Sequence, residues 1–367
     1  GKTIENLIAS GEYAAATRKI SRKLDTARIA DPVAASYLAQ PEPSWYFYAG
    51  KAAYRQQNFA DARSNLLEYL NRVQTTSYQN ESLYLLGAMA IEEQDVESAL
   101  LHLELVDKNG DQSYYQLAGL EAGQLLYDLR RFEESLTRYK GLGNLPAVQQ
   151  QMLANSMQIR NLIQLGRDKE AKSQTDAFKK TFGKNKEAND HLASFEYERG
   201  KKAFTNKSYD PALRYQKNVL KKHKNSSYAD DAKYFIARIQ TTMNRTKDAL
   251  KTLDEFQKQY PGSDLLGNVY LTRAEIHFRD EQEDLGLAAV KKATEIATTP
   301  SVKRSSLALL INTYQNMGLW DGALQKTREY ISLYPNASAI MSKKISIGIF
   351  LSRANRYTEA LDYLQKI

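Results

Sequence analysis

Cysteine is absent from the 367 residues. That excludes a disulfide framework, thiolate metal sites, iron–sulfur ligation and a cysteine nucleophile. It leaves the redox compartment open, because thiol-free chains occur on both sides of a membrane. Glycine (18) and proline (8) are scarce for this length, which disfavours all-β and collagen-like chains, whose turns and repeats need them. Four histidines occur, His102, His191, His223 and His277, without paired metal-ligand spacing. No run of apolar residues approaches the roughly eighteen needed to span a membrane. No signal peptide is recognisable, and the chain opens GKTIENL and stops inside a periodic pattern at LQKI. It reads as a piece of a longer protein, so a signal peptide, lipid anchor or further domain outside it stays open.

What is present is a repeat. With 42% hydrophobic and 26% charged residues the chain can bury a core. A small residue late in one predicted helix pairs with a small residue twelve positions on: Gly50 with Ala62, Gly87 with Ala99, Gly123 with Ser135, Gly200 with Ala212, Gly348 with Ala360. Weaker copies extend the anchors to Ala16, Ala62, Ala99, Ser135, Ala171, Ala212, Ala249, Gly286, Ala323 and Ala360, at intervals of 46, 37, 36, 36, 41, 37, 37, 37 and 37. Each unit reads as two helices: residues 81–92 carry apolar side chains at helical spacing, and residues 96–106 repeat the pattern after a short polar turn, EQD. Small residues at the two anchors let the paired helices approach closely.

These residues resemble the tetratricopeptide repeat, whose pattern has a small residue at its eighth position, an Ala at its twentieth and aromatics around them. YFYAGKAAYRQQNFADARSNL (46–66), LYLLGAMAIEEQDVESALLHL (83–103) and LALLINTYQNMGLWDGALQKTREYISLYP (307–335) carry the resemblance. It covers nearly the whole chain and departs from the family in period, which is about 34 residues there. It implies an all-α, right-handed superhelical solenoid of about nine to ten hairpins. A narrower resemblance lies in KHKNSSYADDAKYFIARI (222–239), FQKQYPGSDLLGNVYLTRAEIHF (256–278) and YPNAS (334–338). These look like the YPxS-YADDA linkers of bacterial cell-envelope repeat proteins, among them the Tol–Pal-associated coordinator and the lipoprotein of the outer-membrane β-barrel assembly machine. The plainer reading of such a linker is a helix stop followed by an N-cap.

The two irregular intervals divide the chain into an N-terminal partial hairpin (1–24), a connector containing Pro32, Pro41 and Pro43 (25–44) with a short helix around 33–39, a first block (45–182) and a second block (183–367). Charge is uneven. Residues 1–150 hold 15 basic and 19 acidic side chains, and residues 151–250 hold 21 and 11. A basic patch comprises Lys201, Lys202, Lys207, Lys217, Lys221, Lys222 and Lys224. It reads either as a solvated face or as a seat for an acidic partner, a cell-wall polymer included. Nucleic acid is disfavoured, because Lys outnumbers Arg and no nucleic-acid motif accompanies the patch.

Little else carries chemistry. GLG at 141–143 lacks the context of a phosphate loop, His102 lies among leucines, and the pairs Glu92–Glu93 and Glu133–Glu134 abut hairpin turns. No nucleophile–base constellation is visible, so no enzyme and no cofactor or metal is expected. The resemblance implies binding through the concave face built by first helices, at the second, fifth, ninth, twelfth and thirteenth positions of each repeat. From these the candidate groove is Tyr84, Tyr127, Arg160, Tyr197, Lys201, Tyr234, Arg238 and Phe278, within residues 83–280. Alternating rings and cations suit a peptide bearing carboxylates; the same rings also suit packing between helices. The expected function is a non-catalytic scaffold holding a protein or peptide in a bacterial envelope assembly, periplasmic or outer-membrane-associated. A peptidoglycan-associated module and a cytosolic adaptor are the alternatives.

Overall fold

The computed structural model describes residues 3–25, 42–73 and 77–367. All twenty elements among them are α-helices, paired into ten hairpins. The chain divides into two compact units, Gly1–Ala188 and Asn189–Ile367. The first unit holds α1 (Ile4–Ala9), α2 (Tyr13–Asp25), α3 (Ser44–Arg55), α4 (Phe59–Arg72) and α5 (Gln79–Glu92). It continues with α6 (Val96–Glu104), α7 (Gln112–Asp128), α8 (Phe132–Lys140), α9 (Val148–Leu165) and α10 (Asp168–Phe182). The second holds α11 (Ala188–Thr205), α12 (Tyr209–Lys222), α13 (Ala229–Thr242), α14 (Thr246–Gln259) and α15 (Leu266–Arg279). Its last elements are α16 (Glu283–Ile296), α17 (Pro300–Asn316), α18 (Trp320–Leu333), α19 (Ile340–Arg353) and α20 (Tyr357–Leu364). Most of the connector expected over 25–44, with its short helix, lies outside the described residues.

The sequence period has a single structural meaning. Every one of its ten anchors is the fourth residue of a second helix, and every one is buried. Opposite the anchor the first helix comes so close that a glycine there meets the side chain sixteen residues on. A Cβ added at Gly50, Gly87, Gly123, Gly200 or Gly348 would lie 2.6, 2.7, 2.7, 2.2 or 2.4 Å from Leu66, Leu103, Tyr139, Gln216 or Leu364. Where that opposing side chain is polar it bonds the first helix three residues before the glycine. Tyr139 donates its hydroxyl to the Leu120 carbonyl at 3.2 Å, and Gln216 donates Nε2 to the Tyr197 carbonyl at 3.0 Å.

The turns are also one device repeated. The third residue after the twelfth position takes a left-handed conformation: Gln57, Gln94, Arg130, Lys207, Asn244, Glu281 and Asn355 have φ between 55° and 62°, and Gly11, Gly166 and Gly318 lie between 69° and 77°. The next residue then donates back five positions, as Asp95 N to Ala90 O (2.9 Å) and Gln282 N to His277 O (2.8 Å). This is the bonding that satisfies orphan carbonyls at a helix end. Rings five residues apart clasp the turn: Tyr54 with Phe59, Tyr127 with Phe132, Phe204 with Tyr209, at centroid distances of 6.0, 5.3 and 5.6 Å.

Between hairpins the helix stops at a C-cap residue that has left helical backbone geometry. His223, Tyr260 and Tyr334 occupy this slot with φ of −132°, −130° and −131°. The residue three later bonds back to each of them: Ser226, Ser263 and Ala337 at 2.9, 3.1 and 3.1 Å. In the YPGS linker Ser263 Oγ also donates to Asp230 of the preceding hairpin at 2.7 Å. The core is a series of small clusters, such as Leu83, Leu100, Leu103 and Ala122 or Ala237, Leu253, Phe256 and Val269, each shared by neighbouring hairpins. Stability in such an array is set by local contacts.

Two substitutions separate these constraints. Gly87→Ala forces a methyl into Leu103 and is expected to cost about 1–3 kcal/mol. Gln94→Gly relieves a left-handed residue and is expected to gain about 0.5–1 kcal/mol after the unfolded-state entropy is deducted. Urea unfolding followed by circular dichroism measures both. Equal midpoints for wild type and Gly87→Ala would show that the close approach constrains nothing.

Candidate partner-binding faces

In the first unit α3, α5, α7 and α9 pack directly against one another, and in the second unit α13, α15 and α17 do so. The second helices show no comparable contacts among themselves within the described residues. Elements that touch along a stack line its inner side, so within each unit the first helices form the inner face.

On the second unit's face, Tyr197 lies with its ring 5.4 Å from Tyr228 and 6.1 Å from Phe235. Burial pushes its hydroxyl pKa up. Lys201 Nζ is 5.5 Å from the Tyr197 ring centroid and 3.9 Å from Glu198 Oε1. Its charge acts on the Asp231 carboxyl, whose pKa is raised by burial and by Asp230 and Asp264, against the lowering effect of Lys201. Tyr234 shares a hydrogen bond with Thr272 Oγ1 at 3.1 Å. Arg238, exposed overall, bonds Tyr234 and feels Glu275. Phe278 packs on Gly286, where an added Cβ would lie 2.3 Å from its ring, so it fills the crease of its own hairpin.

On the first unit's face, Arg160 places its guanidinium 4.8 Å from the Tyr127 ring centroid. Tyr84 donates its hydroxyl to Glu121 Oε1 at 2.8 Å and packs at 5.6 Å from Tyr114. Lys51 lies 5.5 Å from the Phe47 ring centroid, repeating the Tyr197–Lys201 arrangement at the same repeat positions, and forms a 2.6 Å ion pair with Glu81. Tyr84 also lines a pocket with Tyr54, Glu92, Glu121 and Asp128. Glu92 and Asp128 occupy the thirteenth position that the family pattern assigns to the groove. The signal that could have found them is the acidic balance of residues 1–150, which the selection of rings and cations passed over.

The basic patch divides among four segments. Lys201 and Lys202 belong to α11, Lys207 is the left-handed turn residue, and Lys217, Lys221 and Lys222 belong to α12, followed by Lys224. All are exposed except the half-buried Lys202. The acids at the turns pair with arginines: Glu93 with Arg63, Glu133 with Arg167 at 3.0 Å, Glu134 with Arg131 at 2.6 Å. Such exposed pairs contribute little. His102 Nδ1 lies 2.7 Å from the Ser98 carbonyl one turn back, a local bond within its helix. Among the described residues no group of three or more His, Asp or Glu is placed to hold a metal, and no helix is long and apolar enough to cross a membrane.

A family model described as tetratricopeptide repeat matches residues 231–263, which is α13, α14 and the YPGS linker. This supports the tetratricopeptide repeat family, and the same hairpin recurs through both units. No curated protein matches the chain. Among solved structures, a tetratricopeptide repeat protein from Parabacteroides merdae is 16% identical over 73% of this chain and 98% of its own, with a TM-score of 0.48. The C-terminal part of a repeat-containing protein from Cytophaga hutchinsonii is 14% identical, covering 82% and 96%, at 0.41. MamA from Desulfovibrio magneticus is 15% identical, covering 47% and 92%, at 0.36. None of these likenesses bears on what the chain binds.

The crowded carboxyl gives a pH test. A folded pKa above the ordinary carboxylate value means that Asp231 favours the fold when protonated and opposes it as pH rises through the raised value. Asp231→Asn should therefore raise the urea midpoint near pH 7, with the gain vanishing towards about pH 3, where the wild-type group is protonated too. A gain of the same size at both ends would assign the effect to something other than charge.

Proposed function

We propose that the chain is a non-catalytic scaffold that holds a carboxylate-bearing segment of a partner protein on the first-helix face of its second unit, within a bacterial cell-envelope assembly. The observation that carries this reading is the ring-and-cation pair at the fifth and ninth repeat positions. Tyr197 and Lys201 form it at 5.5 Å, and Tyr234 and Arg238 form it through a hydrogen bond. A half-buried ring offers contact area with little rotamer entropy to lose, and a cation held beside it meets a carboxylate without having to be ordered first. A repeat array of this kind serves protein–protein contact. The envelope assignment, periplasmic or outer-membrane-associated, draws its support from the resemblance of the YPGS, YPNAS and SSYADDA segments to envelope linkers. The exposed lysines of α12 favour one second reading, an acidic wall polymer as ligand.

Affinity capture from envelope and cytosol fractions of the source cell tests the proposal, comparing wild type with Lys201→Glu/Arg238→Glu. Both substituted side chains are exposed or at the surface edge, so the fold should survive. An envelope protein retained by wild type and depleted about tenfold or more by the double variant is the expected result. Capture of cytosolic partners alone would end the envelope reading, and equal capture by both proteins would move the site away from these cations. Salt-sensitive co-sedimentation with purified peptidoglycan would favour the wall polymer.

A further inference from the structure

The pocket on the first unit's face has about 500 Å³ of space and a chemistry opposite to that of Lys201 and Arg238. Its walls are the Tyr54 and Tyr84 rings and the side chain of Ile91. Three carboxylates, Glu92, Glu121 and Asp128, converge on it, and none of its described lining residues is basic. Gln124 Nε2 reaches both Asp128 oxygens, at 3.0 and 3.1 Å. Glu121 is less well provided for. Oε1 accepts the Tyr84 hydroxyl, while Oε2 is buried and has no hydrogen-bond partner. A buried carboxylate oxygen without a donor carries the full penalty of its lost water. The Tyr54 hydroxyl reports the same local field: burial, Glu92 and Glu121 raise its pKa, and the exposed Arg55 beside it offsets this only in part.

We infer that this pocket binds the cationic end of a lysine or arginine side chain presented by a partner protein. The inference rests on the reading of the chain as a protein-binding scaffold. A bare metal ion is a poor fit, because the carboxylates are too dispersed to form a metal-holding group. A charge on an apolar stem suits the spacing: the stem lies against Ile91 and Tyr54, the ring faces attract the cation, and its N–H groups meet the exposed carboxylates of Glu92 and Asp128 beside the half-buried Glu121.

The test uses an array of dodecapeptides of random composition with blocked ends, probed with the fluorescently labelled full chain. Wild type should retain peptides containing Lys or Arg, and replacing those residues by norleucine or citrulline should abolish retention. Glu92→Gln/Glu121→Gln should weaken the same peptides about tenfold or more while leaving acidic peptides unaffected. Asp128→Asn, altering an exposed carboxylate, should weaken them by a smaller factor and serves if the double variant fails to fold. Absence of Lys/Arg enrichment, or enrichment that survives these variants at wild-type strength, overturns the inference. Acidic peptides lost only from Lys201→Glu/Arg238→Glu concern the second unit's face, so that reading and this one fail separately.

Discussion

The structure depends on how closely two helices of one hairpin can cross. At the crossing the second helix offers a buried small residue in its fourth position, and the first helix offers glycine in five hairpins, alanine in two (Ala237 and Ala274) and isoleucine in three (Ile4, Ile159 and Ile311). Contact at that distance admits backbone against side chain with no Cβ between them, so dispersion is gained over the whole crossing rather than at a few tips. Everything downstream follows from it. The hairpin is thin, consecutive hairpins share small clusters such as Leu83, Leu100 and Leu103, and first helices come into direct contact along an inner face. The polar variants show that the constraint is one of size rather than of polarity. Tyr139 and Gln216 occupy the place of Leu66 and Leu103, and their hydroxyl and amide find the carbonyl that the approach brings within reach.

That is why the repeat was legible in the sequence. A size constraint acts on every copy and leaves its mark at Ala62, Ala99, Ala212, Ala249, Ala323 and Ala360 whatever surrounds them. The turns left no such mark. Left-handed backbone is the usual province of glycine, yet Gln57, Gln94, Arg130, Lys207 and Glu281 adopt it here. They can because the bond five residues back holds the geometry from outside the residue itself, joined at Gln57, Arg130 and Lys207 by a ring clasp across the turn. Scarcity of glycine therefore said little about how many tight turns the chain makes. The YPxS segments show the reverse case. Their Tyr is the C-cap of a helix stop and the residue three later, Ser263 or Ala337, is the returning donor, so their recurrence has a sufficient local cause.

The faces were legible only in outline. A twelfth-position ring such as Tyr54 or Phe278 serves its own hairpin first, by clasping a turn or covering a glycine, and composition cannot reveal whether one edge of that ring remains available. Fifth- and ninth-position residues carry more information, because an i, i+4 ring and cation meet on one helix without help from tertiary structure. Acidic positions were the least legible. Glu92 and Asp128 look like ordinary solvent-facing residues near a helix end, and only the packing of α5 beside α7 puts them on one pocket with a half-buried Glu121.

Burial of carboxyls without full hydrogen bonding runs against folding, and the chain does it on both faces. Burial holds the pKa of Glu121 and of Asp231 above the ordinary carboxylate range, so each opposes the folded state near neutrality. A chain selected for stability alone would place amides or apolar side chains there at little risk to the repeat, since the crossing lies elsewhere. The two cases differ in what stands nearby. Asp231 has Lys201 beside it, a partial internal answer that leaves a cation available to an incoming anion. Glu121 has the Tyr84 hydroxyl, and the other carboxylates lining its pocket, Glu92 and Asp128, are acids that cannot answer its charge. Within its own unit each face thus carries an electrostatic demand of opposite sign, and charge, unlike contact area, separates one partner from another.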